Sequence, residues 1–448
     1  MSSEESITAL VLAYDYPPYV SAGALRPYGW FCHFSEFGVR PVVVTRQWDA
    51  LEGDFRDYIR PGDSPTTRVE SGELGVVLRA PYFPSLSNRM LLRYGERGFR
   101  LLRKALTAST EILQYFLPVG PKREIYKSAR EYLKGGRVDV IIATGDPFVL
   151  FHYAALLSKE FGIPWVADYR DTWSQDKTGK NALLRALDSR IEMRTLKSAT
   201  GIVTVSEFLV AQIRRLVRDK EFKLVLNGYD QATSAAESVN QGSERFTIAF
   251  AGTIYAWHPI ESFLRVCDSL FSEGQLPELN LEFYGVSAAF SLRELLDEKY
   301  PALAGVCHIS PKLPAGKLAK EMARANLLLL FNDYAILGTK IFTYLRLRRK
   351  ILLCYTKDAR ALRLKEENFC LDVEGFEDGE LQAEVVRETG AGVLVENEAG
   401  LREVLLGLHR EFQASGSVEC KSRGIERYSR RIQVKELSEW LKQICGRM

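Results

Sequence analysis

Residues 7–45 read ITALVLAYDYPPYVSAGALRPYGWFCHFSEFGVRPVVVT, and this stretch decides the fold. Its pattern predicts a strand, a turn-rich loop, a helix and a second strand, at residues 7–14, 15–23, 26–37 and 41–45. Gly38 marks the end of the helix, because glycine commonly follows the last helical turn. A strand, a loop, a helix and another strand in this order are typical of a doubly wound α/β sheet.

The same alternation continues along the chain. Before residue 230 it predicts further strands and helices, the strands at 138–143, 164–168, 201–205 and 223–226 and the helices at 147–161 and 206–217. A polar stretch rich in Ala, Ser and Gln, residues 231–244, then indicates a linker. Beyond it the pattern predicts strands at 246–251, 279–284, 306–310, 327–331 and 350–354, and helices at 259–271, 291–299, 315–325 and 339–347.

The simplest architecture for this order is α/β, with two Rossmann-like domains facing across a cleft. We expect a first domain at residues 1–235, with a basic insertion at 89–137, and a second domain at 236–424. Residues 425–448 read as a helix or a pair of helices. Ligands of such folds bind at the carboxyl ends of the strands and in the cleft between domains.

The formal net charge of +3 hides an uneven distribution. Residues 1–235 hold 32 basic and 27 acidic residues, a balance of +5, whereas the remainder holds 28 and 30, a balance of −2. Residues 89–137 alone hold 12 basic and 4 acidic residues, a balance of +8. The positive charge is therefore concentrated in one segment.

Six basic residues of this segment have helical spacing, which predicts that they line one face of a helix. They are Arg89, Arg93, Arg97, Arg100, Arg103 and Lys104. Because apolar residues occur on the same stretch, the helix is suited to an anionic membrane surface or to an acceptor presented there. The alternative is the solvated face of a core helix that Gly95 and Gly98 weaken. Nucleic acid is not expected as a partner, because no recognition motif accompanies the segment.

Several common sites are missing from the sequence. No G-x-G-x-x-G follows the first strand, and no P-loop, G-x-S-x-G or H-E-x-x-H motif occurs. The five histidines lack ligand spacing, so we expect no metal site. Seven cysteines without close pairs favour reduced thiols in a cytoplasmic protein. No apolar run approaches the ~20 residues of a membrane-spanning helix.

Two loops of the first half carry polar residues at predicted strand ends. After the first strand, Gly23 allows close approach of a backbone, and Arg26 could reach a phosphate at the start of the helix. An ordinary surface loop is the alternative there. In the stretch ADYRDTW, Asp168, Arg170 and Asp171 follow an apolar run, where carboxylates and an arginine usually sit in the cleft. Alternatively, Asp168 caps an element and Arg170 pairs with it.

A third loop lies in the second half, where GTKIFTYL spans residues 338–345. Gly338 and Thr339 open a predicted helix whose free N–H groups and dipole favour a phosphate. Lys340 adds a positive charge at the same place. Helices that start with glycine and threonine are common, so this motif alone is weak evidence for a phosphate site. It indicates a ligand site only together with the other two loops.

In their order and spacing, the motifs of this chain resemble the GT-B glycosyltransferases, in particular the family-four group that uses nucleotide-activated sugars. The matching stretches are residues 16–27, ATGDPF at 143–148, GIPWVADYRDTW at 162–173, IVTVSE at 202–207, LNGYD at 226–230, FAGTIY at 250–255, FYG at 283–285 and GTKIFTYL at 338–345. They span nearly the whole chain. The basic segment 89–137 matches least.

The resemblance implies a donor site mostly in the second domain. It places the following residues around the nucleotide-sugar: Gly252 and Thr253 at the diphosphate, Gly285 and Lys312 near the nucleotide, and Gly338, Thr339 and Lys340 at the phosphates. In the first domain, Asp171 or Arg170 would contact the sugar. The resemblance further implies retention of the anomeric configuration without a metal or other cofactor, and a final helix that packs back on the first domain.

Two departures from the family pattern concern the donor site. Relatives often carry a glutamate that contacts the ribose where this chain has Thr343, and another where it has Ala335. The loop from Gly252 to His258 also lacks the arginine and lysine of many relatives. A hydroxyl at Thr343 cannot form the charged hydrogen bonds of a carboxylate.

We therefore predict a glycosyltransferase that moves a sugar from a nucleotide-sugar donor to a lipid-linked or polysaccharide acceptor, in polysaccharide biosynthesis. It would be cytoplasmic and peripheral at the cytosolic membrane face. The alternative is a catalytically weak or inactive relative that acts as a binding or scaffold protein. A GT-B-fold epimerase is a third reading, but no acid/base set favours it.

Overall fold

The computed structural model describes residues 6–19, 21–49, 55–176, 181–230, 239–287, 291–333, 337–368 and 380–447, with residues 55 and 368 described in their backbone alone. The chain divides into two units. The first consists of Met1–Leu226 and Arg430–Met448, and the second of Asn227–Ser429. Residue 235, where we expect the first domain to end, lies outside the described residues, as do residues 231–238 of the predicted linker.

The described strands of the first unit form one sheet, in the order β3-β4-β2-β1-β5-β6-β7-β8. Their bounds are β1 Ile7–Leu12, β2 Val39–Arg46, β3 Arg68–Ser71, β4 Val76–Ala80, β5 Val140–Gly145, β6 Trp165–Tyr169, β7 Gly201–Thr204 and β8 Glu221–Leu224. All neighbouring pairs are parallel except β3 and β4. The predicted doubly wound sheet is confirmed.

Successive side chains of β1 show why this sheet is buried on both faces. Leu10 and Leu12 belong to one apolar cluster, and Ala9 and Val11 belong to another on the opposite face. Residues of a strand alternate between the two faces of its sheet, so a strand covered on both sides is a continuous apolar run. This is the pattern that residues 7–14 show in the sequence.

The helices of the first unit cover both faces of its sheet. Their bounds are α1 Ala22–His33, α2 Phe55–Ile59, α3 Leu86–Tyr94, α4 Arg100–Leu113, α5 Arg123–Leu133, α6 Val149–Phe161, α7 Ala182–Leu196 and α8 Glu207–Arg214. Helix α1 begins at Ser21, whose hydroxyl oxygen accepts a hydrogen bond from the backbone N–H of Ala24. After a 3₁₀ turn at Phe34–Phe37, Gly38 takes the left-handed conformation with φ of 70° and ends the element, as predicted.

The second unit repeats the architecture with a smaller parallel sheet, in the order β11-β10-β9-β12-β13-β14. Its described strands are β9 Phe246–Ala251, β10 Leu279–Tyr284, β11 Cys307–Ser310, β12 Leu327–Phe331, β13 Lys350–Cys354 and β14 Gly392–Val395. Its helices are α9 Ile260–Ser272, α10 Leu292–Lys299, α11 Ala315–Arg324, α12 Thr339–Leu347, α13 Ala359–Asn368, α14 Leu381–Thr389 and α15 Glu398–Ser415, with 3₁₀ turns at Pro301–Gly305 and Ile425–Tyr428.

The final helix, α16 at Arg430–Gly446, belongs to the first unit. Trp440 packs on β7, where a Cβ placed on Gly201 would lie 2.7 Å from the indole ring. Arg430 crosses α1 at Gly29, where a Cβ would lie 1.9 Å from the Cδ of the arginine. Glycine therefore permits close packing at both positions, because a larger residue would force the side chain of Trp440 or Arg430 to move.

The basic segment folds differently from the prediction. The expectation that its six basic residues share one helix face is wrong, because the chain breaks between α3 and α4. Gly95 takes φ of 73° and Phe99 takes φ of 53°, both in the left-handed region that interrupts a helix. The two helices are joined by Ser87, whose hydroxyl donates to the backbone oxygen of Arg103 at 3.0 Å and lies 2.8 Å from Thr107 Oγ1. Among the residues described, no helix is long and apolar enough to cross a membrane.

Candidate active site

Four neighbouring strands of the second unit end side by side, at the edge where the predicted donor residues lie. Gly252 and Thr253 follow β9, Gly285 follows β10, Lys312 follows β11, and α12 begins after β12. Because the strands are parallel, their carboxyl ends form one edge of the sheet. The fold therefore gathers residues that lie nearly 90 positions apart in the sequence.

Lys340 connects the start of α12 to the loop after β9. Its Nζ donates a hydrogen bond of 3.0 Å to the backbone oxygen of Thr253 and lies 4.1 Å from the centre of the Phe250 ring. Burial lowers the pKa of Lys340 to about 8, against the opposing effect of the Asp333 carboxylate. The ammonium group is thus held at the helix N-terminus, where an anion would be stabilised by the charge and by the helix dipole.

Glycine is required at two of the predicted donor positions. Gly252 has φ of 93° and Gly285 has φ of 56°, conformations that other residues rarely adopt. A Cβ on Gly252 would lie 3.2 Å from Lys340 Cε, and one on Gly285 would lie 3.1 Å from Lys312 Cα. Lys312 itself is exposed beside Gly285. The structure therefore brings Gly252 next to Lys340, and Gly285 next to Lys312.

Asp333 organises the loop after β9, a role that sequence reasoning missed. Its Oδ1 accepts hydrogen bonds of 3.1 Å from Trp257 Nε1 and from His258 Nε2, and it lies 3.8 Å from Lys365 Nζ on α13. Burial opposes ionisation, but the hydrogen bonds from His258 and Trp257 and the charge of Lys365 hold the pKa of Asp333 below its ordinary value. The carboxylate is therefore ionised and turned towards this loop.

The tautomer of His258 follows from its two partners. The backbone N–H of Tyr255 donates to His258 Nδ1 at 3.2 Å, so that nitrogen carries no proton. His258 Nε2 must then be the donor to Asp333. Burial lowers the pKa of His258, which agrees with a neutral ring. The histidine is a structural tie within the loop.

The two departures from the family pattern have different outcomes. Thr343 is exposed on α12, and its hydroxyl donates to the backbone oxygen of Thr339 at 3.3 Å. Ala335 lies outside the described residues. Asp333, the acid nearest to that position in the sequence, is committed to Trp257 and His258 through Oδ1.

A second polar cluster lies at the strand ends of the first unit. Arg170 follows β6, and its Nε and Nη2 each donate to a backbone oxygen at 2.7 Å, that of Gly145 and that of Asp146. Gly23 faces the same guanidinium, since a Cβ there would lie 2.4 Å from Arg170 Nη1 and 2.8 Å from Asp15 Oδ2. The first and second loops of the sequence analysis therefore meet at Arg170.

Carboxylates surround this guanidinium. Asp171 is an exposed residue. Desolvation of its carboxyl group by the surrounding protein nevertheless raises the pKa of that group above its ordinary value. Burial also raises the pKa of Asp15, although the hydroxyl of Ser21 donates to its Oδ2 at 2.8 Å. The neighbouring charge of Asp146 raises both pKa values, and that of Arg170 lowers both. The cluster offers hydrogen-bond acceptors and one cation to a polar ligand.

Arg26 has a different position from the one expected. It is buried, and its Nε and Nη2 donate to the carboxylate of Asp168 at 2.7–3.1 Å. Its Nη1 donates to the backbone oxygens of Val225 and Leu226, at 2.8 and 3.1 Å. This geometry does not support the predicted contact with a phosphate, because the guanidinium donates its hydrogen bonds to Asp168 and to backbone oxygens of the first unit. The alternative partner considered for Asp168, Arg170, is directed to the backbone instead.

The six basic residues of the segment 89–137 are also separated by the break between α3 and α4. Arg103 donates to the backbone oxygens of Gly98, at 2.9 Å, and of Glu96, and so stabilises the break. Arg93 lies 5.4 Å from the centre of the Tyr94 ring. The other four are exposed, with no partner recorded in the described part of the chain: Arg89, Arg97, Arg100 and Lys104.

Apolar side chains are exposed on these two helices and on the residues that flank α4. We call these exposed residues, with the basic ones between them, the α3–α4 surface: Leu86, Leu92, Tyr94, Phe99, Leu101, Leu102, Ile112, Leu113, Phe116 and Leu117. Leu101 is 84% exposed, and α4 has no buried residue at all. Clusters of exposed large apolar side chains on a soluble protein commonly mark an interaction surface.

Metal-ligating side chains do not cluster in the residues described: no group of three or more His, Cys, Asp or Glu is arranged to hold a metal ion. The cysteines described are free, and Cys267, Cys307 and Cys354 are buried.

Comparison with known proteins finds one family that matches part of the chain and several solved structures of similar fold. Residues 28–228 match the family described as glycosyl transferase 4-like domain. No curated protein matches the sequence. Several similar solved structures cover nearly the whole chain.

Three of these structures illustrate the likeness. Sucrose-phosphate synthase from Thermosynechococcus elongatus aligns with a TM-score of 0.55 at 15% identity, over 99% of this chain and 97% of that one. Anabaena HepE, in complex with UDP and glucose, aligns with a TM-score of 0.53 at 13% identity, over 98% and 100%. The catalytic domain of starch synthase IV from Arabidopsis thaliana, bound to ADP and acarbose, aligns with a TM-score of 0.52 at 11% identity, over 99% of each chain.

The predicted fold is thereby confirmed: the chain has the GT-B fold of two Rossmann-like domains. Residues 28–228 match a glycosyltransferase domain.

Proposed function

We propose that the protein transfers a sugar from a nucleotide-sugar donor to a lipid-linked or polysaccharide acceptor, in polysaccharide biosynthesis at the cytosolic membrane face. The observation that carries the donor part is Lys340, whose ammonium group lies at the start of α12 beside Thr253 and Gly252. A buried cation at a helix N-terminus suits a diphosphate. HepE bound to UDP and starch synthase IV bound to ADP support a nucleoside diphosphate as the leaving group.

In this proposal the bond between the anomeric carbon and the diphosphate oxygen breaks, and negative charge grows on the diphosphate. Lys340 and the free N–H groups of Gly338 and Thr339 would stabilise that charge, which lowers the barrier for departure. Gly252 and Gly285 leave room for the phosphates and the nucleoside, with Lys312 beside the base. Such stabilisation needs no metal ion, and we propose transfer with retention of configuration.

The first unit would position the sugar or the acceptor. Arg170 is rigid, because two backbone oxygens hold its guanidinium at 2.7 Å. Asp171, an exposed residue, follows directly, and its carboxylate can accept hydrogen bonds from sugar hydroxyls. We therefore assign the orientation of the reacting sugar or hydroxyl group to Asp171 and Arg170.

Calorimetry with UDP, GDP and dTDP tests the donor site. We expect one of them to bind, and Lys340→Ala to reduce turnover with the matching nucleotide-sugar by more than about tenfold, the effect of one lost charge-assisted hydrogen bond. Lys320→Ala is the matched control, because Lys320 is exposed on α11. Binding of none of the three nucleotides would contradict the proposal, and a loss below tenfold would contradict the role of Lys340.

One observation favours the alternative, a binding or scaffold protein of weak activity. Thr343 is exposed and bonded to the backbone of Thr339, so it offers a ribose only a neutral hydroxyl. Nucleotide binding without release of sugar would support this alternative. Steady turnover with any nucleotide-sugar would exclude it.

The α3–α4 surface supports the membrane part of the proposal. It combines exposed apolar side chains with Arg97, Arg100 and Lys104, which is the composition of a helix that lies on anionic lipid. Flotation with vesicles of phosphatidylcholine and phosphatidylglycerol tests it. We expect the protein to float, and Leu101→Glu to abolish flotation, because the charge would replace the most exposed leucine of the surface.

Leu183→Glu is the matched control for flotation. Leu183 is 79% exposed on α7, outside the α3–α4 surface, and its substitution should leave flotation unchanged. Wild-type protein that stays in the soluble fraction at low and at moderate salt would contradict the membrane part of the proposal.

A further inference from the structure

A cavity of about 330 Å³ opens beside the start of α3, outside the candidate active site. Its wall is formed by the residues before and within α3 and by those at the start of α5. The residues that matter for its chemistry are Phe83, Leu86, Arg89, Pro121, Arg123 and Glu124. The volume lies in the range of small-molecule sites.

The charge of this cavity is positive. Glu124 is already neutralised, because its Oε1 accepts from Arg123 Nε and from Lys127 Nζ, both at 2.9 Å. Arg89 lines the cavity with no partner recorded among the described residues. Among the lining side chains, Arg89 and Arg123 against Glu124 leave a balance of +1. Lys127, which pairs with Glu124 from outside the cavity, adds a further positive charge nearby. An anion would complete the site by pairing with Arg89.

The rest of the wall is apolar except for Ser85, and it continues into the exposed surface of the unit. Phe83 is 47% exposed and Leu86 is 53% exposed, at the mouth of the cavity. Leu86 also belongs to the α3–α4 surface, so one side chain borders both the cavity and the apolar face. A ligand that pairs with Arg89 and also contacts the apolar mouth of the cavity would have an anionic head and an apolar chain.

We propose that this cavity binds the phosphate headgroup of an anionic lipid, with the apolar chain lying along Phe83 and Leu86 at its mouth. Arg89 pairs with the phosphate, and Arg123 adds to the positive field. The inference rests on the membrane part of the proposed function and deepens it: the surface would recognise a particular chemistry, an amphipathic phosphate, in addition to negative charge.

Binding of a short-chain lipid below its micelle concentration tests the cavity without a membrane. The probes are dihexanoyl phosphatidylglycerol, dihexanoyl phosphatidylcholine and inorganic phosphate, each titrated by calorimetry into the full-length protein. We expect the phosphatidylglycerol to bind at least about tenfold more tightly than either other probe, because it alone combines net negative charge with an apolar chain. Equal binding of the two lipids would overturn the proposal, and so would inorganic phosphate that binds as tightly as phosphatidylglycerol.

Substitutions locate the site. Arg89→Ala should weaken the binding of dihexanoyl phosphatidylglycerol at least about tenfold, since one charge-assisted hydrogen bond is lost. Arg137→Ala is the matched control: it removes a charge from the same basic segment, at a residue 91% exposed and outside the cavity, and should change binding less than about twofold. Arg123→Gln should also weaken the binding of dihexanoyl phosphatidylglycerol. It replaces Arg89→Ala as the test variant if Arg89→Ala fails to fold. Equal effects of Arg89→Ala and Arg137→Ala would overturn the assignment.

The two proposals fail in different ways. Leu101→Glu should lose flotation yet bind the short-chain lipid like wild type, because Leu101 does not line the cavity. A wild-type protein that binds the short-chain lipid but does not float would refute the membrane surface and leave the cavity in place. A protein that floats but binds no short-chain lipid would refute the cavity alone.

Discussion

Lys340 should make the affinity for a nucleoside diphosphate depend on pH in a range where few residues titrate. Burial lowers the pKa of its ammonium group to about 8 in the free protein. A bound diphosphate favours the charged form and raises that pKa again. Binding above this pKa therefore requires uptake of a proton, and the affinity falls as the pH rises.

The expected size follows from the fraction of charged lysine. With a pKa of about 8, about nine-tenths of Lys340 is charged near pH 7 and about one-tenth near pH 9. The diphosphate contributes no change of its own, because its last ionisation is complete above about pH 7. The dissociation constant should thus rise about tenfold over this range, which corresponds to about 1.4 kcal/mol.

The assay is calorimetric titration of the nucleotide that binds, repeated at about pH 7, 8 and 9. Lys340→Met should bind at least about tenfold more weakly near pH 7 and lose the pH dependence. Lys340→Arg keeps the charge over the whole range, so its affinity should be independent of pH. Lys365 is the internal check, since burial lowers its pKa to about 8 as well.

The comparison of variants decides between the two lysines. A wild-type affinity that does not change with pH would refute the reasoning about burial. The same pH slope in Lys340→Met as in wild type would refute the assignment to Lys340 and transfer it to Lys365.

Two further predictions concern stability. Gly285→Ala should lower the free energy of unfolding, measured in urea, by at least about 1 kcal/mol. The substitution places a Cβ on a residue with positive φ, 3.1 Å from the backbone of Lys312. A variant as stable as wild type would contradict this conformational requirement. Arg26→Leu should cost about 3–5 kcal/mol, because it leaves the fully buried carboxylate of Asp168 without its partner. Arg130→Leu, at an exposed ion pair, is the control that should leave stability nearly unchanged. A loss no larger than that of the control would show that Arg26 is dispensable to the fold.

The order of the elements could be predicted because both sheets are buried. A strand covered on both faces is a continuous apolar run, and residues 246–251, 279–284, 327–331 and 350–354 coincide with β9, β10, β12 and β13. Strand β3 could not be found this way, because all four of its residues are exposed and give no apolar signal. The break between α3 and α4 could not be predicted from the spacing of the arginines. It depends on the left-handed conformation of Phe99, which that spacing does not indicate.

The residues of the candidate site could be predicted where they are consecutive in the sequence and form one motif. Gly338, Thr339 and Lys340 are consecutive, so the resemblance could assign them as one group. The tie between His258 and Asp333 joins residues 75 positions apart, and no local pattern signals it. The pairing of Arg26 with Asp168 spans 142 positions, and only the tertiary structure distinguishes it from a free cation at a helix start.

The position of α16 has a consequence for the synthesis of the protein. Val434, Leu437 and Leu441 complete an apolar cluster on one face of the first sheet, yet they follow the whole second unit in the chain. At 5–20 residues per second, a ribosome needs about 10–40 s to make the roughly 200 residues between the two parts of the first unit. During that time the part of this face that α16 covers is exposed, and among the described helices only α1 and the turn after it, with Trp30 and Phe34, pack there. We therefore expect the nascent chain to need protection from aggregation until α16 emerges.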